Sequence, residues 1–147
     1  MTVFTIGFTQ KTAEQFFESL KKNQVEIVLD VRLNNKSQLA GFAKGDDLPY
    51  FLSELCHCEY RHCLEFAPTK EILDAYKNKR ISWIEYEDQY AALMNQRGNH
   101  LDFIDRFSEY THICLLCSEP TPEHCHRRLL AEMIADTAPR PTEIKHL

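Results

Sequence analysis

The chain has 147 residues, a length typical of one domain built around one hydrophobic core. Hydrophobic residues make up 44% of it and charged residues 27%, and this ordinary globular composition excludes a disordered chain. The net charge of −5 argues against non-specific binding of nucleic acid, which requires many phosphate contacts, although a local basic cleft would still allow it.

Several cofactors and locations are also disfavoured. The four glycines, Gly7, Gly41, Gly45 and Gly98, lack the spacing of dinucleotide-binding or ATP-binding loops, so these two fingerprints are absent and the sequence leaves the cofactor unknown. No segment is long and apolar enough to span a membrane, and the first residues do not resemble a secretion signal. We therefore expect a cytoplasmic protein whose six cysteines are reduced thiols.

Strand-like and helix-like segments alternate along the chain. Short runs of β-branched and apolar residues predict strands at 3–6, 25–29, 59–63, 112–117 and 142–147. Helical spacing of apolar residues predicts helices at 12–22, 48–55, 69–77, from 82 onwards, at 101–110 and at 121–135. In the last of these, Thr121 is the expected N-cap and Pro122 the first helical residue.

This order of elements predicts an α/β fold, with one three-layer domain over residues 1–147, a mostly parallel sheet and helices on both faces. The polar segment 34–47 is long for a loop in a compact domain. Because it starts beside the end of the second strand, we expect it to cover the rim of the sheet as a lid.

Candidate ligand-binding residues follow two of the predicted strands. Ligands of open α/β sheets bind beyond the carboxyl ends of the strands. Gly7 and Thr9 follow the first strand, and Asp30 and Arg32 follow the second. These four residues are predicted to bind substrate, although polar residues at strand ends are also common without any function.

The segment after the fourth predicted strand carries the most reactive side chains. It contains Cys117, Glu119, Cys125, His126 and Arg127. If the helix begins near residue 121, Cys125 lies in its first turn, where unpaired N–H groups favour a thiolate. This set could perform nucleophilic chemistry or bind an anion. Alternatively, both cysteines are small core residues and Arg127 is a surface charge.

A metal site is predicted at neither of two other cysteine groups. Cys114 and Cys117 are three residues apart on a strand, so they should point to opposite faces of the sheet. Cys58 and Cys63, in the group that includes His57, fit core positions. A partial metal site at residues 117, 125 and 126 stays an open alternative.

The chain resembles a family of uncharacterised bacterial and archaeal proteins known as domain of unknown function 488. The likeness covers nearly the whole length and depends on segments 5–7, 30–32, 117–120, 125–127 and 144–147, with Tyr60 and Glu65. The resemblance implies a Rossmann-like α/β fold, and it implies no particular reaction because the family has no settled activity. Phe8 stands where the family often has histidine, so no role of that histidine applies here.

The leading hypothesis is a small cytoplasmic enzyme that acts on a small anionic substrate, either nucleotide-like or phosphate-bearing. Cys117 would be the nucleophile and Cys125 its partner thiol, while Glu119 or His126 would transfer protons. Arg32 and Arg127 would hold the anion. Asp30 would orient Arg32 or bind a hydroxyl group.

Two other hypotheses use the same residues. In the first, the protein is a non-catalytic module that binds a ligand or senses oxidation through Cys117 and Cys125. In the second, a metal ion gives the segment a structural role. The sequence does not indicate the oligomeric state.

Overall fold

The structure is a computed structural model that describes residues 1–36 and 40–147. The described strands are β1 (Thr2–Gly7), β2 (Ile27–Asp30), β3 (Glu59–His62), β4 (His112–Cys117) and β5 (Glu143–His146). They form one parallel sheet in the order β3-β2-β4-β1-β5. The predicted α/β class is therefore confirmed, and the fold is a single Rossmann-like domain.

Helices connect these strands and cover both faces of the sheet. They are α1 (Ala13–Lys22), α2 (Leu48–Cys56), α3 (Lys70–Lys77), α4 (Trp83–Arg97), α5 (Phe103–Arg106) and α6 (His126–Thr137). None of the helices in this described part of the chain is long and apolar enough to cross a membrane.

The starts of α1 and α4 show how local sequence determines helix boundaries. The hydroxyl of Thr12 accepts a hydrogen bond from the backbone N–H of Gln15, and the Gln15 side chain accepts one from the N–H of Thr12. Ser82 and Glu85 form the same reciprocal pair at α4. Both capping boxes satisfy N–H groups that a helix start leaves unpaired.

The hydrophobic core has two parts, one on each face of the sheet. On one face α1 and α2 contribute Phe16, Phe17 and Leu52. On the other face α4, α5 and α6 pack against the sheet, with Tyr90 and Leu130 fully buried. Burial of apolar side chains on both faces is the main stabilising contribution in such a three-layer fold.

Two predicted helices differ from the structure. The helix expected at 101–110 is reduced to the short α5, because the backbone turns at Phe107 although the apolar residues around it are buried. The helix expected from Thr121 begins only at His126. Pro122 instead starts a turn that the N–H of Cys125 closes, and the extended backbone of Cys125 separates this turn from α6.

The described part of segment 34–47 supports the rim from the side of α1. Phe42 packs against Phe16 and Phe17, with ring centroids 5.3 and 5.8 Å apart. The carbonyl of Ala43 accepts a hydrogen bond from Arg32 Nη2 at 2.7 Å. Asn34, at the start of this segment, lines a cavity together with Arg32 and Cys117, whereas residues 40–47 pack as described above. Residues 37–39 lie outside the described part, and the lid stays a prediction.

Candidate functional site

A cavity of about 430 Å³ opens at the carboxyl edge of the sheet. The register of the strands creates this edge. Gly7 of β1 lies opposite Cys117 of β4, and Asp30 of β2 lies opposite Leu116 of β4. The sequence-predicted residues that line the cavity are Thr9, Arg32, Cys117, Glu119, Cys125 and His126.

Cys117 lies at the floor of this cavity as the last residue of β4. It packs on the face of the sheet covered by α4 and α6, whereas Cys114 packs on the opposite face. The predicted opposite orientation of these two cysteines is therefore confirmed. Only 6% of Cys117 is exposed, so a ligand in the cavity would cover it completely.

Cys125 and His126 complete a compact group with Cys117. One ligand atom from each of the three residues lies within 4.8 Å of the other two. His126 Nε2 is 2.7 Å from the carbonyl oxygen of Val31. Since a carbonyl can only accept, Nε2 carries a proton, and Nδ1 of the neutral ring is an acceptor. This Nδ1 lies 3.6 Å from Cys117 Sγ and 3.4 Å from the Tyr86 hydroxyl.

The two thiols have different acidities. A hydrogen bond from the Cys125 thiol lowers the pKa of Cys117, against the opposing effect of burial; the backbone N–H of Ser118 and the charge of Arg127 lower it further. Burial raises the pKa of Cys125, and its bond to Cys117 raises it more. Cys117 is therefore the more acidic of the two thiols, and Cys125 donates the hydrogen bond between them, although the helix terminus alone favoured Cys125 as the more acidic thiol.

Arg32 and Asp30 form a buried ion pair at the end of β2. Arg32 Nε and Nη2 donate to the two carboxylate oxygens of Asp30 at 2.8 and 2.7 Å. Burial works against the charged arginine, yet this pairing raises its pKa overall. Phe8 packs on the guanidinium at 5.0 Å. Arg32 Nη1 is buried and has no hydrogen-bond partner within the described residues, on a side chain that lines the cavity.

Two residues of β3 support this pair, and the sequence reasoning assigned neither to the site. The Tyr60 hydroxyl donates to Asp30 at 2.6 Å, and His62 Nε2 is 2.7 Å from the carbonyl of Arg32. The residues alternate along β3, so Tyr60 and His62 share one face. That alternation, and the place of Tyr60 in the family resemblance, were the indications in the sequence, whereas the position of β3 beside β2 is seen only in the structure.

Arg127 lies behind the cavity rather than in its lining among the described residues. It is fully buried, and its Nη1 donates to the carbonyl oxygen of Glu119 at 2.7 Å. Its Nε and Nη2 have no partner in the described part of the chain. This position favours support of the loop after β4, and a positive field on Cys117, over direct contact with a ligand.

Gly7 also supports that loop and does not line the cavity among the described residues. A Cβ at this position would lie 1.7 Å from the carbonyl oxygen of Glu119. Thr9 holds the preceding residue of the loop, because its hydroxyl donates to the carbonyl of Ser118 at 2.7 Å. The side chain of Glu119 itself is exposed at the mouth of the cavity.

The substitution Gly7→Ala should displace this loop and lower the free energy of unfolding by about 1–3 kcal/mol, the usual cost of overpacking. Gly41→Ala is the matched control, since a Cβ there would meet nothing within 4 Å. Its effect should stay within about 0.5 kcal/mol. Chemical denaturation of both variants measures the difference, and equal stabilities would contradict the packing role of Gly7.

Aromatic side chains form a wall of the cavity that the sequence did not reveal as part of the site. They are Tyr76 from α3, Trp83 and Tyr86 from α4, and His124 from the loop before α6. Their helical spacing is the same as that of ordinary core residues, and only the packing of α3 and α4 beside the rim shows their position.

The cysteine–histidine group could also hold a metal ion. Two sulfurs and an imidazole nitrogen match the ligands of a zinc site that keeps one position open. The bond from His126 to the carbonyl of Val31 would orient Nδ1 toward the ion, as is usual for ligating histidines. Cys58 and Cys63 lie in the cores on opposite faces of the sheet, and burial raises the pKa of each to about 12.

A family model described as "Domain of unknown function DUF488" matches residues 12–134. The chain belongs to the DUF488 family. The matched range includes Arg32, Cys117 and His126, whereas the segments 5–7 and 144–147 lie outside it. Searches of curated proteins and of solved structures give no significant match to this DUF488 protein.

Proposed function

We propose that this DUF488 protein is an enzyme that uses Cys117 as a nucleophile on a small anionic substrate. The observation that carries this proposal is the position of Cys117 at the floor of a cavity, within reach of Cys125 and His126. The lowered pKa of Cys117 makes it the stronger nucleophile of the two thiols at neutral pH.

His126 would manage the proton of the reaction. Its Nδ1 takes the proton of the Cys117 thiol, and the thiolate then forms a bond to the electrophilic atom of the substrate. As the bond to the leaving group breaks, that group takes the proton from Nδ1. Water then attacks the covalent intermediate, transfers a proton to Nδ1 and releases Cys117. Glu119 at the cavity mouth is a second candidate for proton transfer.

Two buried arginines favour an anionic substrate. Arg32 lines the cavity and has a buried Nη1 donor without a partner among the described residues, and guanidinium groups bind phosphate and carboxylate oxygens strongly. Arg127 adds positive charge behind Cys117, without an ion pair among the described residues. A nucleotide or another phosphate-bearing molecule fits these donors. Extended nucleic acid is disfavoured by the net charge of −5.

Redox sensing is the second candidate function, because two buried sulfurs lie within 4.8 Å of each other. A peroxide-type oxidant would take two electrons from the pair, Cys117 and Cys125 would lose two protons, and a disulfide would form. A sensor would form this disulfide reversibly and release no product from any substrate.

Mapping of alkylation by mass spectrometry tests the proposed function. Iodoacetamide at pH 7 should label Cys117 fastest of the six cysteines, and inorganic phosphate should slow that labelling. Cys117→Ser should remove the fast phase and any turnover, whereas Cys58→Ser should leave both unchanged. Equal, slow labelling of all six would eliminate the nucleophile, and stoichiometric zinc retained through dialysis would replace it with a metal centre.

A further inference from the structure

The aromatic wall of the cavity is a run of rings in mutual contact. The rings of Tyr86 and Trp83 lie nearly parallel, with centroids 4.9 Å apart and planes 18° apart. His124 follows on Trp83, at 5.0 Å and 31°. Tyr76 packs edge-on against Trp83 at 5.5 Å.

The outer end of this run lies at the edge of the core, where Tyr76 and Trp83 pack against it but are only partly buried. Tyr90, one helical turn beyond Tyr86 on α4, is fully buried, and its hydroxyl already donates to the carbonyl of Phe66. In contrast, Trp83 is only half-buried and His124 is exposed, although both line the cavity. Large apolar rings left partly open beside a cavity are typical of ligand sites.

We propose that the wall formed by Tyr76, Trp83 and His124 binds the base of a nucleoside monophosphate unit. The base extends the run of rings, and the phosphate lies beside Arg32, which lines the same cavity as Cys117 and whose buried Nη1 donor has no partner among the described residues. The inference depends on the proposed function only for the anion end of the substrate. A volume of about 430 Å³ suits one nucleotide and lies at the small end of ligand pockets.

Stacking explains why aromatic rings would be used here. Every nucleobase has a flat π-surface, so a ring wall binds bases without requiring a particular pattern of hydrogen bonds. A phosphate alone would gain only the polar contacts near Arg32. The base should therefore add about tenfold or more in affinity over the same molecule without a base.

Calorimetry with adenosine 5′-monophosphate and with ribose 5-phosphate separates the two ends of the site. The nucleotide should bind at least about tenfold more tightly, and it should quench the fluorescence of Trp83, the only tryptophan of the chain. Trp83→Leu should remove this advantage and leave ribose 5-phosphate binding unchanged. Trp83→Phe keeps an aromatic ring, so it should retain the tighter binding of the nucleotide. This variant therefore distinguishes loss of the ring from a folding defect.

Tyr50→Leu is the matched control, because this tyrosine is 66% exposed on α2, which covers the other face of the sheet. It should leave both affinities unchanged. A 5′-phosphorylated oligonucleotide identifies the source of the nucleotide unit. If it binds as tightly as the mononucleotide, the ligand is the end of a nucleic-acid strand; if it binds more weakly, the ligand is a free nucleotide.

Two outcomes overturn the inference and are distinguishable. If both ligands bind equally and both slow the alkylation of Cys117, the aromatic wall is not a base site, and the proposed function stands. If neither ligand binds and all six cysteines are alkylated equally slowly, both the base site and the proposed function fail.

Discussion

Replacing Arg32 with alanine should lower the free energy of unfolding by about 3–5 kcal/mol, because it leaves the buried carboxylate of Asp30 without its ion-pair partner. Asp30 is fully buried, and Arg32 supplies three of its hydrogen bonds, two from the guanidinium and one from the backbone N–H. Tyr60 donates a fourth. Urea denaturation followed by circular dichroism measures the loss.

The double variant Asp30→Asn/Arg32→Leu should be less destabilised than the sum of the two single variants. The reason is that the cost comes mainly from an unpaired buried charge, which the double variant lacks. Lys21→Ala is the control, because its pair with Glu18 is exposed and should contribute less than about 1 kcal/mol. Additive effects at residues 30 and 32 would contradict a coupled pair.

The sequence predicted the elements of this fold well where a local pattern determines them. β4 occupies residues 112–117 as expected, and the capping boxes at Thr12 and Ser82 begin α1 and α4. These features depend on neighbouring residues only, so a single chain is enough to recognise them. Because the carboxyl ends of parallel strands lie at one edge of the sheet, the sequence also predicted that Arg32 and Cys117 share a rim, and both line the same cavity.

The start of α6 was mispredicted because tertiary contacts override a local preference. Thr121 and Pro122 form a good helix start by composition. However, the buried bond from Arg127 to Glu119 and the bond from His126 to Val31 hold the chain in a turn before the helix. Contacts of this range cannot be seen in the sequence of the loop.

The same limit explains the missed part of the site. Tyr60 and Trp83 lie 30 and 53 positions along the chain from Asp30. Only the packing of β3 beside β2 brings Tyr60 to Asp30, and only the packing of α4 beside the rim brings Trp83 to the cavity. Their types and spacing are those of core residues. Reactive residues such as Cys117 are conspicuous in a sequence, whereas residues that shape or orient a site are recognised by their contacts.

Replacing Cys125 with alanine should raise the pKa of Cys117. In the native protein the Cys125 thiol donates a hydrogen bond that favours the charged form of Cys117 and lowers its pKa. Alanine has no donor, so the thiolate loses this bond and burial opposes ionisation more effectively. The rate of Cys117 alkylation against pH should then reach its midpoint at a higher pH.

Cys125→Ser distinguishes a lost hydrogen bond from a lost side chain. A serine hydroxyl can donate to the thiolate, so this variant should keep the midpoint closer to that of the native protein than Cys125→Ala does. Cys114→Ala is a second control, since Cys114 is buried in β4 on the opposite face of the sheet. It should leave the midpoint unchanged. Identical midpoints in the native protein and Cys125→Ala would show that Cys125 does not activate Cys117, and the acidity would then come from Ser118 and Arg127 alone.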